Sequence, residues 1–189
     1  MKALSFNPFS AVNNLTFGVL ASFMHAYGKV DYTPSQLRWG FKMMRGSVGK
    51  SWTFGKAAPG DAMKIRNIMD RTGVISEILD TMYGKSNLSS AEKTALEKAI
   101  NPYAWQQSGD YLHKGAMVLA MMKNKMVTVT ENGVEKKIPL YEALNEEGEW
   151  DSAKYGVNKE WSSDDISEQK EWNKFRDYMR KVSIIVHGN

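Results

Sequence analysis

The chain contains no cysteine in its 189 residues. That excludes disulfide staples, thiolate metal sites and cysteine nucleophiles. A small secreted domain held by disulfides is therefore not expected. Histidine is also scarce, with only His25, His113 and His187. No two of them are four residues apart and none lies in an H-E-x-x-H pattern, so helical zinc chemistry has no footing. There is no long hydrophobic run. The most apolar window, "LTFGVLASFMHAY" over residues 15–27, is too short to span a bilayer as a helix. Lys2 gives a thin basic start, but Asn13 and Asn14 precede the apolar run and no A-x-A site closes it, so a secretory leader is not expected either. No G-x-S-x-G is present, which removes the commonest serine-hydrolase elbow.

What is there suits a packed protein. Apolar residues make up 42% and charged residues 24%, both ordinary for a globular chain, so a core is expected rather than disorder. The net charge of +4 is unevenly spread. Residues 1–75 carry ten Lys/Arg against three Asp/Glu, and the acidic residues concentrate between Glu142 and Glu171. Such polarity suits either a nucleic-acid or an acidic-protein neighbour for the basic part, or a merely uneven solvated surface.

Helical start signals recur. Asn7-Pro8 opens a segment in which Phe9, Val12, Thr16, Val19, Leu20, Phe23 and Tyr27 fall near one face, with Gly28 as its stop. Gly18 within it points to close packing against another element. Thr33-Pro34 repeats the signal for a helix through Leu37, Phe41, Met44 and Val48, ended by Gly46 and Gly49. Residues 49–60 are a loop by composition. Asp61 caps a third helix bearing Met63, Ile65, Ile68 and Met69, broken by Gly73. Helices are predicted over 75–83 and, after the Ser89–Glu92 capping box, through Leu96 and Ile100. Asn101-Pro102 opens the longest one, with Trp105, Leu112, Ala116, Leu119, Met122 and Met126 along its stripe. The period then shifts to two. "MVTVTENGVEKKIPL" alternates, turns at Asn132-Gly133 and returns, the strongest short hairpin signal. Leu140–Leu144 suit one or two helical turns. Ser162 or Ser163 caps a last helix through Ile166, Trp172, Phe175, Met179 and Ile184.

The fold class is therefore mainly α, an irregular assembly of about six or seven helices with one small β-hairpin near residues 126–138. It divides into a helical body with hairpin (1–145), an acidic irregular loop (146–162) and a terminal helix packing on the body (163–189), as one domain overall.

The stretch "GSVGKS" at 46–51 invites a phosphate-loop reading. The Walker pattern needs Gly-x-x-x-x-Gly-Lys-Ser/Thr, which places the first glycine at position 44, where this chain has Met44. Such a loop also follows a strand and opens a helix. Here a helix precedes it. An exposed "RGSVGKSWTFGK" loop can still touch nucleic acid, with Arg45, Lys50 and Lys56 on phosphates and Trp52 and Phe54 stacking on bases. His113, with Asp110 one turn earlier, is the other polar candidate. It serves as a hydrolase site only if both residues line a concave pocket, and otherwise as a partly buried helix histidine. Glu146, Glu147, Glu149 and Asp151, with Asp164 and Asp165, fit no EF-hand, and a mobile loop does not hold two carboxylates at the fixed separation a glycosidase needs. The twelve methionines suit core filling better than a binding face. Trp150 and Trp161 flank the acidic loop and either pin it to the body or mark a contact surface.

Four phrases carry a family resemblance: "NPFSAVNNLTFGVLASFMHAYGK", "NPYAWQQSGDYLHKGAMVLAMMKNK", "GVEKKIPLYEAL" and "RKVSIIVHGN". Their order and spacing resemble a segment of very large virion proteins of tailed phages, especially the crAss-like phages. The resemblance implies a structural or ejected virion component, located in the virion and, during assembly, in the host cytoplasm. It implies other virion proteins, or the rest of a longer polypeptide, as partners. In that family the chain continues past "HGN", so a fragment is expected. The acidic polymerase-type motifs found in the family have no counterpart here, and no functional residue carries over. The expectation is a non-enzymatic segment with no cofactor or metal, acting through protein–protein packing, with a nucleic-acid-binding module using the basic N-terminal part as the alternative.

Overall fold

A computed structural model describes residues 8–51, 61–73 and 102–187. The predicted helices at 75–83 and 89–100, together with Trp52, Phe54 and Lys56, lie outside the described residues. Within them the chain forms seven helices, five of them substantial, and one antiparallel hairpin. The long helices are α1 (Pro8–Tyr27), α2 (Pro34–Ser51), α3 (Asp61–Thr72) and α4 (Pro102–Asn124). Strands β1 (Met126–Glu131) and β2 (Val134–Pro139) follow, then the short α5 (Leu140–Ala143) and α6 (Ser152–Tyr155), and finally α7 (Lys170–His187).

Helix α4 is the axis of the fold. Every residue from Gly115 to Met122 is buried, so this part of the helix is enclosed on all sides. Helix α2 crosses it at Gly40, where a side chain would collide with the backbone of Ala116. Leu37 and Met44 fill the interface on either side, with Ile65, Ile68 and Met69 of α3 behind them. Met44, Met69, Met117, Met121, Met122 and Met179 are all core residues, as their flexible thioethers allow between helices at irregular angles.

Several local signals behave as physics requires. Thr33 and Gln36 form a reciprocal capping box at the start of α2. The Thr33 amide donates to Gln36 Oε1 at 2.7 Å, and the Gln36 amide to Thr33 Oγ1 at 3.3 Å. Asn132 and Gly133 both have positive φ, 54° and 80°, the geometry of a tight primed hairpin turn. The resulting register pairs Val127 with Ile138 and Val129 with Lys136. Val127 and Val129 face the core while Thr128 and Thr130 face solvent.

Three expectations are corrected. The inner face of α1 is Gly18, Ser22 and Ala26, a ridge of small groups at fourfold spacing, whereas Thr16, Leu20 and Tyr27 face outward. Close approach to α4 selects small residues there over large apolar ones. Gly46 and Gly49 do not end α2, which runs on to Ser51. And α7 begins at Lys170 rather than after Ser163. The Ser163 hydroxyl and Asp165 carboxylate instead accept from the amides of Asp165 and Ser167, at 3.2 and 2.8 Å, closing local turns that compete with helix. Ile166, expected on the helix face, is 69% exposed.

The acidic stretch is irregular yet firmly held. Lys64 donates to the Leu144 carbonyl at 2.5 Å and Asn67 to that of Glu146 at 2.8 Å. Trp150 and Trp161 stack at 6.4 Å between centroids, and Trp161 meets Phe175 edge-on at the same distance. Both tryptophans are buried, so they pin the loop to the body.

Candidate functional site

Helix α2 answers the phosphate-loop question. Gly49, Lys50 and Ser51 occupy its final turn. The free carbonyls of a helix C-terminus repel anions, and the amides that cradle phosphate lie at the opposite end. Of the residues predicted to touch nucleic acid, Arg45 is on the exposed side of α2. The side chains of Lys50, Trp52 and Lys56 lie outside the described residues. Arg45 has company within the basic part that runs from Arg38 to Arg71. Arg38 and Lys42, seven and three residues earlier, are exposed as well, and none of the three joins an ion pair among the described residues. They form a basic stripe along one side of α2.

The polar residues that come together are elsewhere, where α1, α4 and α7 meet. His113 on α4 is only 3% exposed and lies directly over Gly18 of α1. Its ring packs edge-on against His187 of α7, with centroids 4.4 Å apart. His187 Nε2 is 2.8 Å from Ser22 Oγ, and Ser22 is fully buried. Burial, the neighbouring His187 and Lys114 push the His113 imidazole down to about 3. Burial and Lys114 push His187 down to about 4, partly opposed by the carbonyls of Gly18 and Ser183. Both rings are neutral at physiological pH.

A serine beside a histidine suggests a nucleophile, but the proton runs the wrong way. The Ser22 hydroxyl donates to the Gly18 carbonyl at 2.8 Å, so its oxygen accepts from His187 Nε2–H. A general base must accept from the serine instead. With Ser22 and His113 both buried, the cluster joins helices. His113 is buried between α1 and α7, and the side chain of Asp110, its partner in the hydrolase reading, lies outside the described residues.

A second polar hub sits one turn away. The side chain of Asp31 is 5% exposed, and its carboxylate is shared by two donors. His25 Nε2 lies 2.5 Å from one oxygen, and the Tyr178 hydroxyl donates to the other. The Asp31 carbonyl accepts from Asn124 at 2.9 Å, and Asn124 in turn accepts from Gln36 at 3.1 Å. Four separate segments meet at this point. Nothing in sequence spacing marks it, because Asp31 and Tyr178 are 147 residues apart.

In the acidic stretch Glu146, Glu147 and Glu149 are exposed, while the half-buried Asp151 caps α6 by accepting from the Lys154 amide at 3.1 Å. Glu149 pairs with Arg71 at 2.6 Å, and the Arg71 guanidinium lies 5.0 Å over the Trp172 ring. Among the described residues no three His, Asp or Glu side chains group to hold a metal ion. Nor is any described helix long and apolar enough to cross a membrane. A cleft of about 380 Å³ lined by Lys125, Lys174, Lys181, Glu171, Asp177, Phe175 and Tyr178 mixes both charge signs.

The remaining feature is apolar and outward. Phe17, Leu20, Met24 and Tyr27 of α1 are 67, 53, 67 and 69% exposed. Their spacing of three, four and three residues puts them on a single helix face. On the adjoining α7, Ile184 and Ile185 are exposed too. No protein-family model, curated protein or solved structure matches the chain.

Proposed function

We propose that this chain is a non-enzymatic, mainly helical segment of a tailed-phage virion protein that works by packing against other virion polypeptides. The observation that carries the reading is the exposed face of Phe17, Leu20, Met24 and Tyr27 on α1. Single exposed apolar residues are ordinary on a protein surface, whereas four large ones in register along one helix mark a contact. Covering each removes enough apolar surface to contribute about 1–2 kcal/mol, before the entropic cost of association. The resemblance of the "NPFSAVNNLTFGVLASFMHAYGK" and "LHKGAMVLAMMKNK" phrases to large virion proteins supplies the kind of partner. The test is Leu20→Lys with Met24→Lys in the phage-encoded chain. The variant is expected to melt at the wild-type temperature and to be missing from purified particles. Incorporation at wild-type level would overturn the reading.

A nucleic-acid module remains the second reading, favoured by the stripe of Arg38, Lys42 and Arg45. Three phosphate contacts give a slope of about −2 to −3 in log K against log salt. Duplex and single-stranded DNA titrations at two salt concentrations, with Lys42→Glu as the variant, distinguish it from the first.

A further inference from the structure

We propose that the outward face of α1 pairs with the same face of a second copy of this chain, the two helices running antiparallel about a twofold axis. The inference rests on the reading of that face as a contact and names its partner. The spacing carries the argument. Phe17, Leu20, Met24 and Tyr27 are separated by three, four and three residues, the heptad pattern of a helix–helix seam. The pattern also reads the same in both directions. Phe17 and Tyr27 each lie five residues from the level of Ser22, and Leu20 and Met24 each lie two. A twofold axis at that level sets Phe17 against Tyr27 of the second copy and Leu20 against its Met24. Each contact then occurs twice, as an isologous interface requires. The outer layers join two aromatic rings and the inner layers two aliphatic chains, so side chains of similar size meet.

Charge permits this self-contact. From Pro8 to Tyr27 the helix has no Asp, Glu, Lys or Arg, so two copies of the face meet without repulsion. Its one basic side chain, His25, is turned to Asp31. An unlike partner finds no charge on α1 to fix its register, whereas the palindromic spacing fixes one for a copy. The direction follows from Lys29, exposed just beyond the seam. In a parallel pair the two Lys29 ammonium groups and the two helix dipoles would oppose each other. In the antiparallel pair each Lys29 lies beside the uncharged N-terminal half of the other helix, and the dipoles cancel.

The area is also of the right order. The four side chains expose on the order of 500 Å² of largely apolar surface. A stable interface covers about 800 Å² per partner, somewhat more than half of it apolar, so the face supplies about the apolar share of one interface. With only about three turns of helix in the seam, the pair is weak. It separates on dilution and forms where copies are crowded, as in a particle. Met24 is accordingly open to oxidation in the dilute chain and covered in the pair.

Sedimentation equilibrium of the full chain from about 1 to about 300 µM tests the pairing. The expected result is a monomer that gives way to a dimer, with no larger species. Leu20→Lys places an ammonium in two symmetry-related layers and is expected to weaken the dimer by about 100-fold or more. The Leu20 side chain is exposed, so the variant is expected to melt like the wild type. Cross-linking reads the direction, and the absence of cysteine makes it clean. Leu20→Cys mixed with Met24→Cys is expected to give a disulfide between the two variants, because those positions are level across the axis. Either variant alone is expected to give little, since its two copies are offset by about 6 Å along the helices. A chain that stays monomeric at the highest concentration would overturn the pairing, as would a dimer that Leu20→Lys leaves intact. So would cysteines that link each variant to itself, the signature of a parallel pair. A monomer whose Leu20→Lys, Met24→Lys form is still missing from particles overturns the second copy and upholds the contact face. A dimer whose doubly substituted form enters particles normally upholds the pairing and overturns the packing role.

Discussion

Two glycines of α2 should respond to alanine in opposite directions. Helix propensity favours alanine over glycine by about 1 kcal/mol at both Gly40 and Gly46. At Gly46 a Cβ meets nothing within 4 Å, so Gly46→Ala should keep most of that gain, about 0.5–1 kcal/mol. At Gly40 the new Cβ would lie closer than 3.0 Å to the Ala116 carbonyl oxygen, 3.0 Å from its carbon and 3.2 Å from its Cα. These are backbone atoms inside the enclosed Gly115–Met122 stretch of α4, and no rotamer change can move them. Helices α2 and α4 must separate, which loosens Leu37, Met44 and Met117 together. Overpacking of this kind costs about 1–3 kcal/mol, and a backbone obstacle places it at the upper end. Net of propensity, Gly40→Ala should lose about 2 kcal/mol. The two variants then differ by about 3 kcal/mol, or about 6–12 °C in Tm for a chain of this size. Urea denaturation of both, read against the wild type, measures it directly. Equal shifts for the two would refute the argument that α2 rests on α4 at Gly40.

Three further outcomes follow from the polar clusters. Because His113 and His187 are held at about 3 and about 4, the unfolded chain takes up their protons first as pH falls. Their contribution is complete above pH ~6.5 and is lost progressively toward pH ~4, by about 2 kcal/mol for each histidine at pH ~5. Denaturation midpoints across that range check it, and a midpoint that is constant from pH 7.5 to 5 contradicts it. Asp31→Asn should destabilise by about 1.5–3 kcal/mol, since one of its two donors then faces an amide N–H. A double-mutant cycle with Tyr178→Phe should show coupling near 1 kcal/mol, and additive losses would show that the hydroxyl contributes nothing. Arg71→Lys should lose about 1 kcal/mol in spite of keeping the charge. Glu149 is half-exposed and its ion pair weak, so most of the loss is the planar guanidinium on Trp172. A lysine variant as stable as wild type would show that charge alone matters.

Local chemistry made much of the fold readable in advance. Thr33-Pro34, Asn132-Gly133 and Gly73 all act at short range, and each sets the start, turn or end of an element in the structure. The α7 start was misplaced because Ser163 and Asp165 can either cap a helix or close a turn, and only the neighbouring side chains decide. The α1 face was misassigned for a different reason. Hydrophobic periodicity assumes that the inner face is the apolar one, but α1 approaches α4 so closely that glycine, serine and alanine form the contact. Leu20 and Tyr27 are left outside with Phe17 and Met24, where they become the candidate contact face, whereas Phe23 packs against the core as its place on the stripe requires. Of the histidine cluster only His113 and the close packing at Gly18 are legible in the sequence, and the Asp31 hub is not. Their members are far apart in sequence, and it is the antiparallel docking of α7 on α1 that brings them together.

Methionine oxidation tests the central claim most directly, because Met24 lies in the middle of the outward face at 67% exposure. Met44, Met117 and Met121 are at most 1% exposed and serve as internal controls. Brief peroxide treatment of the isolated chain and of purified particles, read by mass spectrometry, compares their conversion to sulfoxide. The account expects fast oxidation of Met24 in the isolated chain and strong protection in the particle, with the controls slow in both. Met24 oxidised equally fast in both, or the chain missing from particles, would contradict a role in packing virion proteins together.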